Sequence, residues 1–204
     1  MKSDIPIVKD LVLVGGGHSH VAVLKKFGMK PLPGVRITLI TRDVHTPYSG
    51  MLPGYIAGHY DFDETHIDLR PLAMFAGARI YHDEAISIDH ASNKVICRNR
   101  PPVAFDILSV NIGSAPSMTT PGADAFVTPV KPINNFVTRW QGLFERVHEA
   151  TDNVNIGGVG AGAGGVEVLL AIEHRLRSDF AAVGRSSEHV KFHLFTDADD
   201  ILVS

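Results

Sequence analysis

The stretch Asn153-Val154-Asn155-Ile156-Gly157-Gly158-Val159-Gly160-Ala161-Gly162-Ala163-Gly164-Gly165-Val166-Glu167 decides the fold of this chain. Residues 153–157 predict a strand, and the residues after Gly165 predict a helix running through Arg175. Between them, Gly160-x-Gly162-x-x-Gly165 stands in the strand-to-helix turn that a dinucleotide-binding fingerprint requires. Gly160 permits the tight turn, Gly162 lets the backbone approach a pyrophosphate, and Gly165 lets helix and strand pack closely. The helix start then offers N–H groups and a partial positive charge to phosphates. A strand at Val190 to Thr196 closes the unit, and Asp197 follows it as an acid able to bind a ribose 2′-hydroxyl.

The same start occurs earlier in the chain. Leu11 to Val14 reads as a strand, Gly15-Gly16-Gly17 as the turn, Val21 to Phe27 as a helix and Val35 to Ile40 as a second strand. Pro31, Pro33 and Gly34 break the helix from that strand. Here the pattern is Gly15-x-Gly17-x-x-His20, with an imidazole in the third glycine's place. A β-carbon there is expected to push the helix away from the strand or to turn the ring outward. The second strand ends at Thr41 and Arg42, where such folds usually present an acid. His18 and His20 are two residues apart, but no Cys or acid cluster accompanies them, and a metal pair is not expected.

Residues 45–58, rich in Pro and Gly, read as a functional loop rather than regular structure, with Ser49 and Gly50 exposing amide groups. Asp61, Asp63, Glu64 and Asp68 read as a solvated loop and helix start. The alternating runs Arg79 to Tyr81, Ala85 to Asp89 and Lys94 to Arg98 predict an antiparallel meander. Ile107 to Ile112 predicts a buried parallel strand. Pro132 to Glu149 predicts an amphipathic helix burying Phe136, Trp140, Leu143, Phe144 and Val147.

Composition narrows the function classes. A net charge of −3 gives no electrostatic case for a nucleic-acid partner. No apolar run reaches the length of a membrane span. The N-terminus runs into a strand with no cleavable apolar region before it, so a cytoplasmic location is expected. Cys97 is the one cysteine in the sequence, which excludes an internal disulfide redox pair and suits a small strand residue.

With both glycine motifs, the 45–58 loop, the meander and Asp106-Ile107-Leu108-Ser109-Val110-Asn111-Ile112-Gly113-Ser114-Ala115-Pro116 in this order, the chain resembles the two-dinucleotide-binding-domain flavoproteins. These are pyridine nucleotide-disulfide oxidoreductase-like proteins. Within them it is most similar to the branch of type II NADH dehydrogenases and sulfide:quinone reductases. Leu11 to Gly58 is similar to the module that some organisms fuse to selenide, water dikinase (selenophosphate synthetase).

The resemblance implies an α/β fold: residues 1–122 form an FAD-binding Rossmann-type domain with an antiparallel meander insertion, and residues 123–204 form a partial NAD(P)-binding Rossmann-type domain. It implies FAD with its pyrophosphate near Gly15, Gly17, His18 and Ser19 and its adenosine near Thr41, Arg42 and Ala85. Pro47, Ser49 and Gly50 would lie toward the flavin, Gly113 would be the turn leaving the FAD domain, and Lys131 would be a group at the flavin edge. NAD(P)H would sit on Gly160, Gly162, Gly165 and Glu167 and deliver hydride to the flavin. No catalytic acid or base and no metal are expected, because the cofactors carry the chemistry.

The implied activity is electron transfer from NAD(P)H through FAD to an unidentified acceptor, a quinone or another small molecule, with association with selenophosphate synthetase a further implication. His20, Thr41 and the absent cysteine pair depart from the family pattern. The chain also ends after the second strand of the nicotinamide unit, which reads as a C-terminal truncation. Two alternatives stay open: a non-catalytic nucleotide-binding or regulatory module, and a single-cofactor NAD enzyme whose first unit is empty.

Overall fold

A computed structural model describes residues 6–202. The chain divides into two compact units, the first made of Met1–Thr46 and His66–Ser114 and the second of Pro47–Thr65 and Ala115–Ser204.

In chain order, the first stretch contributes β1 (Lys9–Val14), α1 (His18–Met29), β2 (Val35–Thr41) and β3 (His45–Pro47). A 3₁₀ turn at Ser49–Met51 leads into α2 (Leu52–Ala57), followed by α3 (Phe62–Thr65), β4 (His66–Asp68) and α4 (Leu69–Phe75). β5 (Arg79–His82), β6 (Ala85–Asp89), β7 (Lys94–Cys97), β8 (Val103–Ala104) and β9 (Ile107–Val110) come next. The remainder holds α5 (Ala123–Phe126), α6 (Ile133–Glu149), β10 (Val154–Val159), α7 (Ala163–Ala182) and β11 (Val190–Phe195).

The first unit is built on a parallel four-stranded sheet in the order β5-β2-β1-β9. Strand alternation sends its side chains to two covered faces. Leu13, Ile37 and Leu39 point to one face and pack with Leu24 of α1 and Leu69 of α4. Val12, Val14 and Ile40 point to the other and pack with Val95 and Cys97 of the antiparallel β6-β7-β8 sheet. Each fully buried aliphatic side chain contributes about 1.5–3 kcal/mol. Cys97 is part of that core, and burial pushes its thiol up from the ordinary value, which disfavours the reactive thiolate.

The meander is shorter than its alternation suggested. Arg79–His82 joins the main sheet as a parallel strand beside β2, with Thr38 opposite Arg79. A four-residue run carries too little periodicity to tell a parallel edge strand from a meander strand. β9 is likewise an end strand, and Ile107 and Val110 are half exposed rather than buried.

Two carboxylates, the buried Asp83 and the half-buried Asp68, brace this unit. Asp83 accepts from the N–H groups of Glu84 (2.7 Å) and Asn99 (3.1 Å) and from the Asn99 amide (3.1 Å), with the Arg100 guanidinium 3.6 Å away. Burial pushes its carboxyl up, but these donors and the cation together hold it below the usual aspartate value. Asp68 caps α4 and is drawn down to about 2 by its hydrogen bonds from Arg70. A depressed folded value means stability that is fully present above the ordinary carboxyl range and is lost as pH falls through the folded value. The thermal midpoint is therefore expected to hold steady above about pH 4 and to decline progressively toward pH ~2. Melting curves across that range check this; a midpoint unchanged down to pH ~2 contradicts it.

In the second unit, β10 and β11 pair in parallel and α7 connects them. Phe136, Trp140 and Val147 of α6 meet Val168, Ile172, Leu176 and Phe180 of α7 in one core. The sequence stretch 45–58 is not an open loop: α2 has proline in its first turn, ends on Gly58 in the left-handed region, and buries Leu52 and Ile56 in this same core. Its apolar pattern covers barely two helical turns, which the flanking Pro and Gly obscure. Asp61 and Glu64 form a reciprocal capping box at the start of α3, both bonds 2.9 Å.

Candidate cofactor sites

The first glycine turn lies where the strand order reverses, because β1 is flanked by β2 on one side and by the later β9 on the other. Ligands of open α/β sheets bind in that crevice, beyond the carboxyl ends of the strands. Gly15 adopts φ +91°, and a β-carbon on it would stand 2.2 Å from the Asn111 carbonyl oxygen. One on Gly17 would meet the Asn111 side-chain amide at 2.4 Å. The loop is tied down by Gly15 N–H to Ile40 O (2.8 Å) and Gly17 N–H to Asn111 O (3.2 Å). Gly17 caps α1 without a side-chain hydrogen bond, the first turn holds no acid, and His18 and Ser19 are exposed. These are the conditions under which a helix start receives a phosphate.

His20 resolves differently from its expectation. The ring points inward, 1% exposed, with Nδ1 2.7 Å from the Gly15 carbonyl and Nε2 2.9 Å from the Ser109 hydroxyl. A carbonyl only accepts, so Nδ1 donates, and in the neutral ring Nε2 accepts from Ser109. The imidazole thus joins the turn after β1 to β9.

At the end of β2, Thr41 is buried and donates its hydroxyl to the Asp43 carbonyl at 2.8 Å. Arg42 is exposed, pairs with Asp43 at 3.2 Å, and accepts at its carbonyl from His82 Nε2 at 2.8 Å. Asp43 is the acid that the motif reading missed; it lies two residues past the usual position, and its side chain is 44% exposed. Ala85 is half-buried against the Val12–Cys97 core, and Gly113 has φ +77° with open space around it.

The second glycine turn differs in one informative way. Gly160 has φ +97° and donates to Phe195 O at 2.8 Å. A β-carbon on Gly165 would lie 2.0 Å from the Gly160 carbonyl, the close helix-to-turn packing of the fingerprint. Around Gly162 and Gly164, by contrast, no protein atom comes within 4 Å of where a β-carbon would be. The folded chain itself does not require glycine there, and the space at the N-terminus of α7, which has neither side-chain cap nor acid in its first turn, suits a pyrophosphate. Glu167 is exposed one turn further on, and Asp197 is exposed just beyond β11.

Pro47, Ser49, Gly50 and Lys131 belong to the second unit; Ser49 and Gly50 form the 3₁₀ turn and Lys131 is exposed before α6. Among the described residues no cluster of three or more His, Cys, Asp or Glu could hold a metal ion, and no helix is long and apolar enough to cross a membrane.

Solved structures with this arrangement include NDH2 from Plasmodium falciparum in complex with NADH (14% identity, 95% of this chain and 43% of that one, TM-score 0.75). Reduced CoADR-RHD from Bacillus anthracis is similar at 16% identity over 98% of this chain and 34% of that one, with TM-score 0.76. The sulfide:quinone oxidoreductase of Aquifex aeolicus is similar at 20% identity over 93% and 43%, with TM-score 0.66. The chain shares the fold of the matching part of these structures. At these identities the likeness is one of fold, and the chain spans less than half the length of each of these proteins. No protein-family model and no curated protein matches the chain.

Proposed function

We propose that this chain is the cofactor-binding part of a flavin-dependent NAD(P)H oxidoreductase, with residues 1–122 serving FAD and residues 123–204 serving the nicotinamide nucleotide. The observation that carries the reading is the pair of parallel strand-turn-helix units. Each turns on a glycine with positive φ into a helix start free of acidic residues and side-chain caps.

Gly15, Gly17, His18 and Ser19 would hold the FAD pyrophosphate, with Thr41, Arg42 and Ala85 toward the adenosine and Asp43 supplying the acid. Gly113 would turn the chain out of that domain, while Pro47, Ser49, Gly50 and Lys131 would serve the flavin end. Gly160, Gly162, Gly165 and Glu167 would hold NAD(P)H. Bound flavin supplies the two-electron chemistry, and the chain's own part is to bind, orient and exclude water. The acceptor in this reading is a quinone or another small molecule. Association with selenophosphate synthetase, implied by the resemblance of residues 11–58, belongs to the same reading.

The test is direct. After incubation with FAD and gel filtration, the protein is expected to be yellow and to bleach on anaerobic addition of NADH. A colourless protein that still binds NADH would sink the flavin assignment. That outcome favours the single-cofactor alternative, for which the committed Thr41 hydroxyl and the imidazole at position 20 are the supporting observations.

A further inference from the structure

A cleft of about 390 Å³ opens in the first unit at the end of the sheet opposite the glycine turn. Its floor is one alternating face: Asp10 of β1, Arg36 and Thr38 of β2, and Arg79 and Tyr81 of β5. The same face continues into the apolar core as Val12 and Ile40, so the polar set is a deliberate change of character along one row. The roof is the segment 100–104, stiffened by Pro101 and Pro102, which carry no N–H.

The charges do not cancel within the cleft. Arg36 is committed to Asp10 through two bonds of 2.5 and 2.7 Å. Arg79 has no carboxylate or other partner among the described residues. Arg100 stacks over the Tyr81 ring at 3.8 Å and faces Asp83 at 3.6 Å, yet its buried Nε donates no hydrogen bond. Thr38 is 4% exposed, lines the cleft, and its hydroxyl has no hydrogen-bond partner among the described residues. The Thr38 hydroxyl and the Arg79 guanidinium therefore face the cleft as donors without a protein acceptor among the described residues, and the buried Arg100 Nε–H makes no hydrogen bond, so a ligand here meets donors that the fold leaves open.

We propose that this cleft binds a phosphate monoester, gripped by the Arg79 and Arg100 guanidinium groups and the Thr38 hydroxyl. Forked guanidinium donors match phosphate oxygens, and a phosphate ester carries close to two negative charges at neutral pH. Asp10 pairs with Arg36 and Asp83 faces Arg100, which leaves Arg79 as the one arginine of the lining without a carboxylate among the described residues; the three oxygens of a phosphate can engage Arg79, Arg100 and Thr38 together, where a carboxylate offers only two. The volume exceeds that of a bare phosphate ion, leaving space for the esterified group.

Titration calorimetry in chloride buffer, with ribose 5-phosphate and inorganic phosphate as probes, tests this. Ribose 5-phosphate is expected to bind and to do so more tightly than inorganic phosphate. Arg79→Ala and Thr38→Val are each expected to weaken it, the arginine variant by about tenfold or more, with flavin and NADH binding unchanged. Arg79 is exposed and Thr38→Val keeps the side-chain shape, so both variants retain the core. Equal affinity for inorganic phosphate overturns the ester in favour of free phosphate. No binding, or binding that survives both substitutions, overturns the site.

Discussion

Gly165→Ala is expected to abolish nicotinamide-nucleotide binding and to destabilise the second unit by about 2–3 kcal/mol. The added β-carbon would sit 2.0 Å from the Gly160 carbonyl oxygen, a backbone atom that cannot rotate aside. Relief requires α7 to lift from the turn, and α7 carries Leu176 and Phe180, both fully buried in the core of that unit. Gly162→Ala separates packing from binding. Its β-carbon meets nothing within 4 Å, so the fold is expected to lose less than about 1 kcal/mol, the cost of alanine at an N-cap. NADH binding should nevertheless fall sharply, because the methyl enters the space assigned to the pyrophosphate. Thermal melts and NADH titrations of the two variants check both statements. Undiminished NADH affinity in Gly162→Ala would remove the nucleotide from this turn.

His20→Ala is expected to destabilise the first unit by about 2–4 kcal/mol, combining a cavity with two buried groups left unpaired. The Gly15 carbonyl and the Ser109 hydroxyl lose their ring partners, and the turn after β1 loses its link to β9. FAD retention should drop with it, since Gly15 and Gly17 are positioned against Asn111, two residues beyond Ser109. His20→Gly restores the usual motif letter but none of these contacts, and the same destabilisation is expected. Chemical denaturation of the three proteins decides the matter. A glycine variant as stable as the parent would show that the imidazole is dispensable.

These residues also differ in how much of their role is local to the chain. Gly160 and Gly165 were legible because a tight turn and a close helix approach leave glycine as the residue that fits, and spacing alone announces both. His20 was legible as an exception but not as a solution. An imidazole at that position could turn outward or inward, and its partner Ser109 lies 89 residues away. Asp43 carries no motif signal because it sits two residues past the strand end. The segment 45–58 misled because two turns of helix between prolines and glycines show no clear period; its place was decided by Leu52 and Ile56 finding the α6 and α7 core.

Local pattern therefore determined the strands on either side of both glycine turns, the turns themselves after β1 and β10, and the amphipathic α6. Period, turn chemistry and helix-start chemistry all act within a few residues of chain. Tertiary structure alone decided that Arg79–His82 is a parallel strand beside β2, that the imidazole in the first fingerprint ties the turn to β9, and that an arginine-lined cleft opens at the far end of the same sheet. Each of those depends on strand register and on partners tens of residues away, which no short window of sequence contains.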